Sequence, residues 1–108
     1  MPPVLPKPIA AYFAADAGNG AAVADCFTAN AIVVDEQQTY QGRDAIAAWR
    51  SEAVAKYQYT SEPIMVEKVE DRTIVTAHLV GNFPGSPVDL RYAFTLADGA
   101  IARLEIVP

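Results

Sequence analysis

The sequence is short of basic residues and has no basic cluster. Its 8 lysines and arginines stand against 13 aspartates and glutamates, which leaves a formal net charge of −5. Because proteins that bind nucleic acid use clustered basic groups to neutralise phosphates, nucleic acid is not an expected partner. The apolar runs also stop far short of the roughly 20 residues that a membrane-spanning helix needs, so no membrane partner is expected.

No targeting signal and no disulfide are indicated. Residues 1–7 lack the long apolar core of a signal peptide, so we expect a flexible N-terminal segment there and a cytoplasmic location. The single cysteine, Cys26, cannot form an internal disulfide. It falls at helical spacing with Val23 and Phe27, so core packing is its simplest role.

The motifs of cofactor and metal chemistry are missing as well. The sequence has no glycine-rich phosphate-binding loop and no Ser-His-Asp order. The single histidine, His78, has no second histidine with which to hold a metal. We therefore expect no cofactor and no metal, which leaves proton transfer as the chemistry of any active site.

The order of the remaining patterns is typical of a single α+β domain. With 108 residues, the chain suits one domain with one core. Apolar spacing predicts three helices in the first half, and a β-branched run predicts a strand between the second and the third. The helices are expected over Pro8 to Gly18, Asn19 to Phe27 and Gly42 to Tyr57, and the strand over Ala29 to Asp35.

The second half of the chain predicts strands only. From Tyr59 onward the apolar residues alternate, and turn-forming residues interrupt the pattern at 70–72, 82–87 and 98–99. Four antiparallel strands are therefore predicted, with the helices packed on one face of a curved antiparallel sheet.

Asp35 is the most informative residue because it ends an apolar strand. A carboxylate there is either solvated at the end of the strand or held in a pocket, where desolvation makes it a better base. Glu36 follows directly. Since strand side chains alternate, we expect Glu36 to point away from Asp35, which argues against a paired-carboxylate glycosidase site.

This order of segments resembles the nuclear-transport-factor-2-like superfamily, and within it the SnoaL-like branch. The resemblance runs from about Ile9 to Ile106 and implies a cone-shaped sheet of the cystatin-like α+β roll type, with three N-terminal helices on its concave face around a blind apolar pocket. The residues that carry it are Gly18-Asn19, Val33-Val34-Asp35-Glu36, Tyr40-Gln41-Gly42-Arg43-Asp44-Ala45-Ile46, Gly81-Asn82-Phe83-Pro84-Gly85-Ser86-Pro87 and Asp98-Gly99-Ala100-Ile101.

Ketosteroid isomerases, which belong to this superfamily, suggest roles for two residues. Asp35 is similar in position to their general base. Their oxyanion-binding tyrosine falls on Ala11 here, and their neutral acid falls near Tyr92, whose hydroxyl is also able to donate to an oxyanion. The resemblance therefore implies that Asp35 and Tyr92 are catalytic residues. The sequence departs from the pattern of a dedicated steroid isomerase.

Six aromatic residues are predicted to bind a substrate in the pocket. They are Tyr12, Phe27, Tyr40, Trp49, Tyr57 and Phe94. Each has core packing as a second explanation. The inward side of the third helix and the alternation of residues 88–96 predict that Trp49, Tyr57, Tyr92 and Phe94 meet Asp35 around one cavity.

The outer face of the sheet is expected to carry charge. His78 alternates with apolar neighbours, and Arg91, Arg103 and Glu105 do the same on the last two strands. We predict a homodimer through this convex face, with a ladder of ion pairs on a monomer as the alternative.

Two classes of function remain open. One is a cofactor-free isomerase or cyclase that moves a proton on a small, apolar, carbonyl-bearing compound, with Asp35 as base and a tyrosine hydroxyl at the enolate. The other is a module of the same fold that binds a ligand or dimerises without catalysis.

Overall fold

The computed structural model describes residues 4–15 and 20–107. Within these ranges the chain forms three helices, α1 (Lys7–Ala15), α2 (Gly20–Ala24) and α3 (Arg43–Lys56). The strands are β1 (Phe27–Asp35), β2 (Gln38–Gln41), β3 (Tyr59–Val69), β4 (Arg72–Gly81), β5 (Val88–Ala97) and β6 (Ala100–Val107). No helix in the described part of the chain is both long enough and apolar enough to cross a membrane.

The six strands form one sheet in the order β2-β1-β6-β5-β4-β3. The predicted α+β class with a curved sheet is confirmed. One pair differs from the antiparallel prediction, because β1 runs parallel to β6. Alternation within a strand reports which side chains face the core but not which strand lies beside it, so the sequence pattern did not reveal this pairing.

The edge strand β2 was also not predicted. Its four residues, Gln38–Gln41, are mostly exposed and show no apolar alternation. It pairs with β1 through a tight turn in which Glu36 and Gln37 both adopt positive φ, at 52° and 66°. Turn geometry rather than burial therefore forms this hairpin.

The start of the chain differs from the prediction in two places. Lys7 already belongs to α1, and Leu5 packs against the core, although both lie in the segment expected to be flexible. Phe27 begins β1 rather than ending the second helix, which stops at Ala24. The predicted helix boundary at Gly18 and Asn19 lies outside the described residues.

The core is an aromatic cluster that joins α1 to the sheet. Tyr12 makes edge contacts with Phe13, Phe27 and Phe94, with ring centroids 5.1, 6.1 and 5.6 Å away. Phe13 lies 5.2 Å from Tyr92 on β5. Edge-to-face packing of this kind is favourable beyond the area it buries, so the cluster fixes α1 on the concave face.

The concave face of the sheet extends from this core to the end of β1. Ala31 and Val33 are buried at 1% and 0% exposure, and Asp35 continues their side of the strand. On β5, Phe94 and Tyr92 are buried in the same alternating register. The inward side predicted for both strands is thus the observed one.

Candidate functional site

A cavity of about 620 Å³ lies beyond the end of the core, between α3 and the sheet. It is lined by the end of β1, β2, the inner side of α3, the start of β3, the end of β4, the first half of β5 and the end of β6. The lining residues are Asp35, Glu36, Tyr40, Trp49, Arg50, Glu52, Lys56, Tyr57, Tyr59, Leu79, Phe83, Pro84, Val88, Leu90, Tyr92 and Ile106.

Asp35 and Tyr92 lie on the same face of the sheet, with one residue between them. Asp35 pairs with Ile106 of β6, and Ile106 pairs with Tyr92 of β5. Cross-strand partners share a face, so the three side chains point into the same volume. Neighbouring strands are spaced regularly, which separates the two outer Cα atoms by about 10 Å. A small molecule above Ile106 therefore has Asp35 on one side and Tyr92 on the other.

The Asp35 carboxylate is held by a tryptophan. The Nε1–H of Trp49 donates a hydrogen bond to Oδ2 of Asp35 at 3.0 Å. Trp49 reaches this position because it follows Ile46 by three residues on the inner side of α3, and both are buried. The indole therefore fixes one oxygen of the carboxylate, which also has a hydrogen bond with the backbone of Glu36.

Burial raises the pKa of Asp35 above its ordinary value of 3.8. Loss of water around the carboxylate is the main cause, and the negative charge of Glu36 adds to it. The Trp49 hydrogen bond and the positive charge of Arg50 act in the opposite direction without cancelling the rise. A carboxylate in this state is a stronger base than one in water.

Glu36 corrects one expectation. It was predicted to point away from Asp35, but both residues border the cavity. The strand ends at Asp35, and Glu36 enters the turn with φ at 52°, so strand alternation no longer sets its direction. Glu36 is exposed at the rim, whereas Asp35 lies deeper.

A role for Arg50 in the cavity was not predicted from the sequence. Its side chain is only 5% exposed, although it lines the cavity. The guanidinium carbon lies 4.7 Å from the ring centroid of Trp49 and 5.7 Å from that of Tyr59. The signal was present, because Arg50 follows Ile46 by four residues and so shares the inner side of α3.

Tyr59 completes the wall on the sheet side. An Nη2–H of Arg50 donates a hydrogen bond to its hydroxyl. Its backbone lies so close to Gly81 on β4 that a Cβ at position 81 would collide with it and with the carbonyl of Gln58. The glycine therefore sets how near the start of β3 comes to β4 beside the cavity.

Tyr40 lies on the other side of Asp35, on β2. Its ring centroid is 5.9 Å from that of Trp49, with the rings tilted by 30°. Burial raises the pKa of Tyr40, and the charges of Asp35, Glu52 and Glu36 raise it further. The tyrosine hydroxyl therefore keeps its proton firmly and is suited to donating it in a hydrogen bond.

The structure brings together five of the eight predicted site residues. Asp35, Tyr92, Tyr40, Trp49 and Tyr57 all line the cavity. The other three belong to the core: Tyr12, Phe27 and Phe94 are each 0% exposed and make ring contacts with one another. This corrects their expected position, since α1 covers this end of the face, and we assign them no ligand contact.

The residues that line the cavity offer three carboxylates, four phenols, a guanidinium and an ammonium group. These groups are suited to taking a proton from carbon and to balancing the charge that forms on a neighbouring oxygen. Across residues 4–15 and 20–107, no three His, Cys, Asp or Glu side chains gather in a way that would hold a metal ion.

The sequence of residues 9–104 matches the SnoaL-like domain. The chain belongs to the SnoaL-like domain family. The resemblance to this branch of the nuclear-transport-factor-2-like superfamily is thereby confirmed. No protein of curated function matches the SnoaL-like chain.

Solved structures agree with this assignment. A protein from Sinorhizobium meliloti proposed to be a polyketide cyclase is 41% identical, with 95% of each chain covered and a TM-score of 0.90. A protein with a ketosteroid isomerase-like fold from Catenulispora acidiphila, in complex with trimethylamine, is 20% identical over 97% of this chain and 87% of that one, with a TM-score of 0.85. The epoxide hydrolase/cyclase-like enzyme SalBIII of salinomycin pyran ring formation is 21% identical over 93% of this chain and 86% of that one, with a TM-score of 0.72.

Proposed function

We propose that this SnoaL-like protein binds a small, mostly apolar carbonyl compound in the cavity and moves a proton on it, with Asp35 as the base. The observation that carries the proposal is the state of Asp35: it lines a cavity of about 620 Å³, burial raises its pKa, and Trp49 fixes one of its oxygens. A cavity of this size is typical of small-molecule sites.

The proposed reaction begins with proton removal. The Asp35 carboxylate takes a proton from the carbon next to the carbonyl, and the C–H electron pair forms an enolate whose charge lies on oxygen. The hydroxyl of Tyr92, which is 3% exposed, donates a hydrogen bond to that oxygen. Both interactions are stronger where water is excluded than in solution.

The same enolate has two productive fates. In an isomerisation, the Asp35 carboxylic acid returns the proton to a different carbon of the conjugated system. In an aldol cyclisation, the enolate carbon attacks a second carbonyl of the same molecule, and the new alkoxide takes the proton from Asp35. The likeness to a proposed polyketide cyclase at 41% identity favours the second fate and a substrate with several carbonyls.

Deuterium exchange tests the proposal. The protein is incubated in D₂O with a panel of small cyclic ketones, and deuterium uptake next to each carbonyl is followed by NMR. We expect uptake above the buffer rate, and its loss in Asp35→Asn, which keeps the shape and removes the base. Glu36→Gln is the matched control, since it removes the neighbouring exposed carboxylate and should retain exchange. Equal exchange in the parent, Asp35→Asn and buffer would exclude Asp35 as a base.

The second candidate is a binding module of the same fold. It is favoured by the half-buried aromatic wall of Tyr40, Tyr57 and Phe83, which suits a ligand whether or not it reacts. Under this candidate Asp35→Asn keeps ligand affinity and there is no exchange to lose. Affinity and exchange measured on the same ketones therefore separate the two functions.

We also propose that the protein forms a homodimer through the convex face of the sheet. On that face Nδ1 of His78 lies 2.6 Å from Oδ1 of Asp89, and both side chains are solvent-accessible, at 42% and 55%. Arg91 and Arg103 on β5 and β6 are exposed and Glu105 is partly exposed. Apolar Val80 and Val107 stand among these charged groups at 46% and 38% exposure, so the face combines charge with apolar area. Light scattering at micromolar concentration should give the mass of two chains, and the mass of one would refute the dimer.

A further inference from the structure

Arg50 places a positive charge in an unusual position. Its side chain is 5% exposed, yet it borders a cavity whose other walls combine aromatic and aliphatic side chains with Asp35, Glu36, Glu52 and Lys56. Removing a guanidinium from water is costly unless negative charge or hydrogen-bond acceptors compensate for it. The Tyr59 hydroxyl supplies one acceptor, and Arg50 lies with Asp35 in the lining of the cavity, so its charge is placed where a ligand would bind.

The contacts of Arg50 fix the plane of its guanidinium. The ring of Trp49 lies 4.7 Å from Cζ on one side, and the ring of Tyr59 lies 5.7 Å away. The Tyr59 hydroxyl accepts one N–H. A guanidinium has five N–H donors in one plane, so a group held in this way presents donors in a fixed direction.

Arg50 and the proposed base line the same cavity. Its charge lowers the pKa of Asp35, against the larger effect of burial. When a proton passes from a ligand carbon to Asp35, negative charge leaves the carboxylate and appears on the ligand oxygen. One cation beside both positions balances the charge before and after the transfer, which is the arrangement that favours enolate formation.

We propose that Arg50 binds the negative oxygen of the ligand, so that the cavity selects carbonyl compounds that carry or readily form an anion, such as 1,3-dicarbonyls and carboxylates, over neutral ketones of the same shape. This deepens the proposed function, because it concerns the ligand of the same cavity. It assigns Arg50 to ligand recognition, in addition to the base and the hydroxyl donor.

Two ligands of equal shape test the inference. 2-Naphthoate is an anion at neutral pH, and 2-acetylnaphthalene is its neutral counterpart. We expect calorimetry to show that the parent binds naphthoate about tenfold more tightly, as a charge-assisted hydrogen bond to guanidinium predicts. Arg50→Gln should remove the preference, and Arg50→Lys should keep part of it. The matched control is Lys68→Gln, which removes an exposed cation that does not line the cavity and should leave the preference intact.

An NMR measurement on the parent protein tests the role of Arg50 without relying on the stability of Arg50→Gln. The side-chain Nε–H signal, assigned by its loss in Arg50→Lys, should move on titration with naphthoate and stay in place with acetylnaphthalene. Equal affinities of the parent for both ligands, an unmoved Nε–H signal, or a preference that survives in Arg50→Gln would each overturn the inference.

The outcome is separable from that of the proposed function. Asp35→Asn should lose deuterium exchange yet retain the preference for naphthoate, since the preference comes from Arg50. If exchange is absent while the preference is present, catalysis by Asp35 fails and the role of Arg50 stands. If exchange depends on Asp35 but the two ligands bind equally, only the role of Arg50 fails.

Discussion

The two ends of the concave face use the same kinds of residue for different purposes. At the closed end, Tyr12, Phe27 and Phe94 are each 0% exposed and pack on one another. At the open end, Tyr40 and Trp49 are also in ring contact, but they share their surroundings with charged side chains. What differs is the cover: α1 closes over the first group, whereas the second borders a cavity.

Tyr92 marks the boundary between the two ends. Its ring stacks 6.2 Å from Phe94 at an interplanar angle of 11°, and it also lines the cavity. On β1, the inward-facing residue changes from the apolar Val33 to the charged Asp35 two residues later. A polar group is tolerated there because Trp49 supplies a hydrogen bond. Aromatic content alone therefore does not locate a site. Aromatic residues that lie beside a buried polar group with a hydrogen-bond partner do locate one.

The largest difference between the two ends should appear in stability. Phe94→Ala removes a fully buried ring from the closed end and should lower the free energy of unfolding by about 3–5 kcal/mol. Phe83→Ala makes the same chemical change at the partly buried mouth of the cavity and should cost about 1 kcal/mol. Urea unfolding of both variants measures the contrast, and equal losses would show that the two ends are packed alike.

A smaller loss is expected where two strands meet beside the cavity. A Cβ in Gly81→Ala would collide with Gln58 and Tyr59, so we expect a loss of about 1–3 kcal/mol together with weaker ligand binding. The control is Gly85→Ala, where space is open but φ is +90°. That change should cost about 1 kcal/mol of stability through backbone strain and leave binding unchanged. Unaltered naphthoate affinity in Gly81→Ala would contradict this account of the wall.

The open end should also show a dependence on pH that the closed end lacks. Burial raises the pKa of Asp35, so its ionisation destabilises the folded state, and stability is lost as pH rises through the folded pKa. Asp35→Asn should therefore match the parent at roughly pH 3 and be more stable by up to about 1 kcal/mol near pH 7. Unfolding curves at the two pH values provide the measurement. A variant less stable than the parent at neutral pH would mean that the charged carboxylate stabilises the fold.

The smallest predicted effect isolates the tryptophan. Trp49→Phe removes the N–H donor to Asp35 and should raise the pKa of that carboxyl further, because the hydrogen bond favours the charged form. Tyr40→Phe keeps the hydrogen bond and serves as the control. The pKa is followed by carboxyl ¹³C NMR, and a lowered pKa in Trp49→Phe would show that the indole does not stabilise the ion.

Particular residues show how far the sequence could predict this structure. Helical spacing placed Trp49 on the inner side of α3, and alternation placed Tyr92 inward, because both patterns report burial directly. The turn at Glu36 was missed since positive φ values in a short polar hairpin leave no trace in hydropathy. Arg50 was missed because a charged residue is normally taken as exposed. The parallel pairing of β1 with β6 joins two strands that are far apart in the sequence. Local patterns do not encode which distant strands pair.

The separation of pocket residues from core residues had a similar limit. Phe94 and Tyr92 both face inward on β5, and their spacing gives no reason to divide them. Tyr12 on α1 contacts both rings, with centroids 5.6 Å from Phe94 and 6.2 Å from Tyr92, but of the two only Tyr92 also borders the cavity. The position of the cavity is a tertiary property, so the aromatic residues of a site could be predicted as inward-facing but not as ligand contacts.

The proposed function depends most on one property of Asp35, which is that it is a desolvated carboxylate at the open end of the concave face. Carboxyl ¹³C NMR titration of the parent, with the Asp35 signal assigned by its loss in Asp35→Asn, measures this directly. We predict a pKa above the ordinary value of 3.8, because burial outweighs the Trp49 hydrogen bond and the Arg50 charge. A pKa at or below 3.8 would contradict the account, since Asp35 would then behave as a solvated or ion-paired carboxylate at the end of a strand.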